Sequence, residues 1–134
     1  MHRISKTYLY INLLGLLMLV YSCSQEGSPE APPAKDLLAK SWQIESIETA
    51  GQRISHAGFS IQFYPNGDFN FTTQGIPGFP NSGKWVLNTD RNEIILNSNI
   101  ALKIIGRIQA NKLVFEYTYK NHKMGDVVTQ FNLK

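Results

Sequence analysis

The sequence has little cysteine, little excess charge and no long uninterrupted apolar run. Of its 134 residues only Cys23 is a cysteine, which excludes an internal disulfide and a thiolate metal site. The formal net charge is +3, and residues 1–22 carry Arg3 and Lys6 without any acidic residue. The remainder is therefore close to neutral and has no basic cluster. We accordingly expect no nucleic-acid partner, because such binding needs a basic surface.

The patterns of common enzyme classes are also missing. No nucleophile elbow, phosphate-binding loop or zinc-ligand spacing appears. His56 and His122 are far apart in the chain, and His122 with Met124 supplies only two soft metal ligands. Glu45 and Glu116 form a carboxylate pair only if both side chains point inward. We therefore expect no enzyme activity, no metal site and no cofactor apart from covalent lipid.

The first 22 residues have the pattern of an export signal. Arg3 and Lys6 give a positive end, and residues 8–20 are apolar apart from Asn12. At about 1.5 Å per residue this run covers roughly 20 Å, less than a hydrocarbon core of about 30 Å. It is therefore typical of a signal rather than of a membrane span. The alternatives are an uncleaved anchor and an ordinary secretory signal.

The residues around Cys23 suggest how the protein is held. Leu19-Val20-Tyr21-Ser22-Cys23 resembles the lipobox of bacterial lipoproteins, although Tyr21 is bulkier than usual. The resemblance implies cleavage after Ser22, diacylglycerol on the Cys23 thiol and acylation of the new amine by a chain such as palmitate. Two or three acyl chains hold firmly where one holds only marginally. Ser24 after the cysteine implies the outer membrane of the cell envelope, with the periplasmic or surface face left open.

Residues 23–35 have the composition of a linker. They are rich in Pro, Ser, Gly and Glu and contain no large apolar residue that would build a core. About 12 residues at about 3.1 Å each span up to roughly 37 Å. The sequence thus predicts a signal peptide at residues 1–22, a lipidated linker at 23–35 and one domain at 36–134. We expect a monomer tethered to the membrane by its lipid.

From Trp42 onward, apolar and polar residues alternate, as in strands that have one face in a core. Residues 36–40 are predicted to form one helical turn with Asp36 as its cap. Turn sequences such as Pro65-Asn66-Gly67 separate the strands. Eight strands are predicted, near residues 42–48, 59–64, 68–73, 82–87, 93–97, 101–108, 112–120 and 126–133.

Eight short strands joined by tight turns predict an all-β antiparallel meander. An open meander leaves two unpaired edges, and closure into a barrel removes them. A barrel of eight strands has an interior that side chains fill or that holds one small ligand. We therefore expect a barrel. The alternative is a two-sheet β-sandwich, which has nearly the same strand pattern.

The order of several motifs resembles small bacterial lipocalin-like domains across about residues 36–134. A departure is Lys40-Ser41, where such domains usually have a glycine. The resemblance implies a lipocalin-like barrel in the cell envelope and no particular ligand. The motifs are Leu38 with Ser41-Trp42, then Phe63-Tyr64-Pro65-Asn66-Gly67-Asp68-Phe69, then Gly83-Lys84-Trp85, then Asn92-Glu93-Ile94-Ile95-Leu96.

Large apolar residues are the candidate contacts with a ligand or a partner, or else simply the core. Within the Gly- and Pro-rich segment 74–81, two of them either plug the barrel end or cover its mouth and meet a partner. The sequence favours a non-catalytic, membrane-tethered module that binds a small apolar or amphipathic molecule. The alternative is an accessory protein of an envelope complex with a filled core. The candidate contacts are Trp42, Phe63, Phe71, Ile76, Phe79, Trp85 and Phe115.

Replacing Cys23 by serine tests the lipid anchor. Because the thiol is the acceptor of diacylglycerol in this scheme, Cys23→Ser is expected to abolish incorporation of labelled palmitate. The precursor is expected to stay uncleaved after Ser22. Gel mobility and label incorporation are the measurements, with Ser24→Ala as the control that keeps both. Label in the Cys23→Ser protein would contradict the lipoprotein prediction.

Overall fold

The computed structural model describes residues 31–55, 58–72 and 76–134. Within these ranges the chain forms one helix and nine short strands. Residues 1–30, including the predicted signal and Cys23, lie outside the described residues. No helix within the described ranges is long and apolar enough to cross a membrane. The elements are α1 (Ala34–Leu38), β1 (Ser41–Thr49), β2 (Gln52–Ser55), β3 (Ser60–Phe63), β4 (Asp68–Thr72), β5 (Ser82–Asn88), β6 (Glu93–Leu96), β7 (Ile100–Ile104), β8 (Leu113–Asn121) and β9 (Gly125–Leu133).

Eight of these strands close into an antiparallel barrel. Strand β1 pairs with β3, and each strand from β3 to β8 pairs with the next along the chain. Strand β9 then pairs back onto β1, from Ile44↔Leu133 to Thr49↔Thr129. The two edges of the meander are thereby paired with each other. The predicted all-β barrel is confirmed, and the β-sandwich alternative is wrong.

Strand β2 is an extra strand that the sequence pattern did not predict. It forms a hairpin with β1 in which Thr49 pairs with Gln52, so Ala50 and Gly51 make a two-residue turn. Their φ angles are 50° and 75°. Positive φ at both central residues is the geometry of a type I′ turn, which favours Asn-Gly. Because alanine occupies the first position, the usual sequence signal of this hairpin is missing.

A β-bulge changes which residues of β1 face the interior. Ile44 pairs with Leu133, whereas Ser46 pairs with Asn132, so two steps along β1 match one step along β9. The Asn132 side-chain amide donates to the Ser46 hydroxyl at 3.2 Å. Beyond the bulge it is Ile47 that joins the core. Strict alternation from Ile44 would have given this place in the core to Ser46, which is itself buried at the bulge.

The inward side chains form one hydrophobic core that α1 covers at one end. Leu38 has no exposed surface, and its carbonyl accepts a hydrogen bond from the Trp42 indole at 3.0 Å. We call this the helix end. Because neighbouring strands run in opposite directions, alternate connections lie at the opposite end, which we call the mouth; they include the β1–β2 hairpin, the β6–β7 turn and the β8–β9 hairpin. Trp42 and Trp85, two of the candidate contacts, are buried in this core.

Two local predictions are wrong. Helix α1 begins at Ala34, and Asp36 lies in its first turn rather than capping it; Pro33 is the N-cap and makes no side-chain hydrogen bond. Strand β7 ends at Ile104 rather than continuing to residue 108. The chain turns there at Gly106, whose φ of 78° is incompatible with an extended strand.

Asparagine at position 50 is expected to stabilise the β1–β2 hairpin. Asparagine tolerates positive φ better than alanine, so Ala50→Asn is expected to raise the free energy of unfolding by about 0.5–1 kcal/mol. Denaturant titration of the full chain measures it. The matched control is Ala101→Asn on the exposed side of β7, where asparagine is expected to be neutral or slightly unfavourable. Equal effects at both positions would contradict the turn assignment.

Candidate functional site

The mouth of the barrel is closed by a tight turn at residues 76–79. The Phe79 backbone N–H donates to the Ile76 carbonyl at 3.2 Å. Pro77 and Gly78 occupy the two central positions, and Gly78 has a φ of 72°. Proline followed by a residue with positive φ is the pattern of a type II turn. The turn thus has a defined shape set by its own sequence.

Phe79 is inserted from this turn into the barrel. Its side chain is only 8% exposed. Its ring centroid lies 4.5 Å from that of Phe71, 5.2 Å from that of Tyr117 and 5.6 Å from that of Phe131. Those three rings belong to strands β4, β8 and β9, whereas Phe79 comes from a loop. Of the two possibilities left open by the sequence, the buried plug is the one observed for Phe79.

Tyr117 ties the turn to the barrel wall. Its hydroxyl donates to the Pro77 carbonyl at 3.1 Å. A Cβ atom on Gly78 would lie 2.7 Å from the same hydroxyl oxygen, so a side chain at position 78 would collide with it. Burial, and secondly the neighbouring Tyr119, raise the pKa of Tyr117 above its ordinary value. The hydroxyl is therefore a neutral hydrogen-bond donor at physiological pH.

Two threonine hydroxyls that contact each other lie beside Tyr117. Thr129 pairs with Tyr117 across β8 and β9 and is buried. Its Oγ1 lies 3.0 Å from the Oγ1 of Thr49, within hydrogen-bonding distance. Apolar side chains accompany these hydroxyls. Ile76 begins the turn itself, Ile100 begins β7 directly after the β6–β7 turn, and Tyr119 stacks on Tyr117; all three are half-buried and pack against the core.

The structure divides the seven candidate contacts into two groups. Trp42, Phe63 and Trp85 lie at the helix end, where the Phe63 and Trp85 centroids are 5.4 Å apart. The others lie toward the mouth, where Phe115 stacks on Phe131 with centroids 4.9 Å apart. Contact with a ligand or partner remains a prediction for all seven. The mouth group is Phe71, Ile76, Phe79 and Phe115.

Other residues singled out in the sequence are not gathered at the mouth. Ser22, Cys23 and His56 lie outside the described residues. His122 is exposed in the β8–β9 turn. Glu45 is exposed, and Glu116 pairs with Lys103 on the outer face, so these carboxylates do not meet in the interior. In the part of the chain that the structure describes, no three potential metal ligands of the His, Cys, Asp and Glu types cluster.

Sequence reasoning missed Tyr117 and Thr129 as site residues. Tyr117 lies in the inward series of β8, where alternation alone indicates a core position. The available signal was its hydroxyl, because a buried tyrosine needs a hydrogen-bond partner. That partner, the Pro77 carbonyl, lies 40 residues away in the chain.

Compared with known proteins, the chain matches no protein family and no curated protein.

Alanine at position 78 is expected to destabilise the domain more than alanine at another glycine of positive φ. Gly78→Ala adds a collision with the Tyr117 hydroxyl to the backbone strain and is expected to lower the free energy of unfolding by about 1–3 kcal/mol. Gly106→Ala is the matched control, because Gly106 has a φ of 78° and open space around its Cβ position. Denaturant titration compares the two. Equal losses would mean that the contact with Tyr117 does not constrain position 78.

Proposed function

We propose that this chain is a lipid-anchored protein of the cell envelope whose barrel binds a small apolar or amphipathic molecule at its mouth. The 76–79 turn lifts as the ligand enters, and the apolar part of the ligand takes the place of the Phe79 ring. The domain is non-catalytic and monomeric and has no nucleic-acid partner. Cys23 carries the lipid and tethers the domain to the outer membrane.

The observation that carries this proposal is that Phe79 comes from a loop. A ring on a strand cannot leave the barrel without breaking backbone hydrogen bonds of the sheet. Phe79 can leave when a short turn moves. That movement breaks the hydrogen bond from the Tyr117 hydroxyl to the Pro77 carbonyl and the three ring contacts of Phe79. The burial lost, about 1.5–3 kcal/mol for a large apolar side chain, is regained by an apolar group of the ligand.

The sequence supports the anchor, and the chemistry of the mouth supports a binding role. Residues 1–22 have the order of an export signal, and Ser22-Cys23 resembles a lipobox.

The hydroxyls at the mouth are weak acids, and that of Tyr117 is weaker still because its pKa is raised. Acid–base catalysis needs a group that titrates near the working pH. The hydroxyls at the mouth therefore support a binding role better than a catalytic one.

A second candidate function is an accessory protein that docks onto an envelope complex through its outer surface. The tight packing of the interior favours it, because Trp42, Phe115 and Phe131 have no exposed surface. On the outer face, Val86 is 65% exposed in the middle of β5. In this case Phe79 is a permanent part of the core, and no small molecule replaces it.

Removing the Phe79 ring distinguishes the two. Without the competing ring, Phe79→Ala is expected to bind butylbenzene at least about tenfold more tightly than the unmodified protein, the factor that about 1.4 kcal/mol gives. Methyl NMR of isoleucine-labelled full chain in lipid nanodiscs measures it, because the Ile76 and Ile100 signals report the mouth and not partition into lipid.

Val86→Ala is the control, since it trims an exposed side chain away from the mouth. Its affinity for butylbenzene is expected to equal that of the unmodified protein. If butylbenzene shifts no mouth signal in any of the three proteins, the binding proposal is wrong and the accessory role is favoured.

A further inference from the structure

The hydroxyl of Tyr117 is the polar group that ligand entry leaves without a partner. In the closed mouth it donates to the Pro77 carbonyl at 3.1 Å. That carbonyl belongs to the same turn as Phe79, so the movement that withdraws the ring also withdraws the acceptor. Leaving a buried donor unsatisfied is costly. A ligand that only replaces the Phe79 ring therefore leaves the Tyr117 hydroxyl without the acceptor that the turn had provided.

The neighbouring hydroxyls do not create the same demand. The Thr49 and Thr129 hydroxyl oxygens lie 3.0 Å apart on adjacent strands, so one hydroxyl donates to the other. Neither depends on the 76–79 turn for that contact. Tyr117 is thus the one group among these three whose partner leaves with the turn. The requirement it imposes on a ligand is a single hydrogen-bond acceptor.

We propose, on the basis of the proposed function, that the ligand carries an uncharged carbonyl group, which accepts the Tyr117 hydrogen bond in place of the Pro77 carbonyl, next to an apolar group that replaces Phe79. An ester, amide or ketone provides such a carbonyl. The class is thus an apolar molecule with one neutral carbonyl rather than a hydrocarbon or a carboxylate.

The surroundings of Tyr117 explain why the acceptor is uncharged. The Tyr117 ring stacks on Tyr119 with centroids 5.9 Å apart, and this neighbour stays in place when Phe79 leaves. Aromatic faces are electronegative, and a buried carboxylate loses hydration that one hydroxyl does not replace. The raised pKa of Tyr117 agrees, because the same surroundings disfavour its own anion. A neutral carbonyl avoids this cost and makes the same hydrogen bond.

Four probes of similar shape test the acceptor. They are methyl 4-phenylbutanoate, N-methyl-4-phenylbutanamide, the 4-phenylbutanoate ion and pentylbenzene, each titrated into the full chain in nanodiscs and followed by the Ile76 and Ile100 methyl signals. The ester and the amide are expected to bind about three- to tenfold more tightly than pentylbenzene, the range for one hydrogen bond. The carboxylate is expected to bind most weakly.

Tyr117→Phe is the informative variant. It also loosens the turn, which strengthens binding of all probes alike, so the ratio of ester to pentylbenzene affinity is the quantity compared. That ratio is expected to fall to about one, because the donor is gone. Tyr64→Phe is the matched control. Tyr64 is 43% exposed and follows β3 at the helix end, so the ratio is expected to keep its original value.

A ratio that persists in Tyr117→Phe, a ratio near one in the unmodified protein, or tightest binding of the carboxylate would overturn this inference. Any of these results leaves the proposed function standing, because apolar probes still bind at the mouth. If no probe binds to the unmodified protein or to Phe79→Ala, both the inference and the proposed function fail.

Discussion

The pairing of β1 with β9 is the constraint on which the rest of the domain depends. It runs from Ile44↔Leu133 to Thr49↔Thr129 and turns an open meander into a barrel. Strand β1 is held on its other edge as well, by β3 along its first part and by β2 along its last part. Only after closure do inward side chains face an opposite wall. The hydrophobic core is therefore a consequence of this pairing rather than of any single cluster.

The two ends of the barrel are closed in different ways, and this difference is why the proposed function places ligand entry at the mouth. At the helix end, Leu38 belongs to α1, and its carbonyl accepts bonds from the Trp42 indole and the Lys40 backbone. Moving α1 breaks several bonds and exposes Leu38. At the mouth, the 76–79 turn is held by the Tyr117 hydroxyl and by ring contacts of Phe79. The mouth is thus the end that opens at lower cost.

Alternation of side chains was enough to predict most of the barrel. The inward series of β4 and β8, for example Phe71 and Phe115, follows directly from period two. Strand β2 was missed because Ala50 stands where its turn favours asparagine. The bulge next to Ser46 was missed because it is a mismatch between two strands, which no single strand reveals. Local patterns thus predict strands, whereas register between strands needs the structure.

The site was harder to predict than the fold, for a physical reason. Apolar candidates such as Trp42 and Phe79 look alike in sequence, and only the structure separates the helix end from the mouth. In the proposed function no empty cavity is needed, because an apolar group of the ligand replaces the Phe79 ring. Ligands are then distinguished, in that proposal, by the group that must keep its hydrogen bond during the exchange. Tyr117 meets that condition, since its acceptor and the plug belong to the same turn.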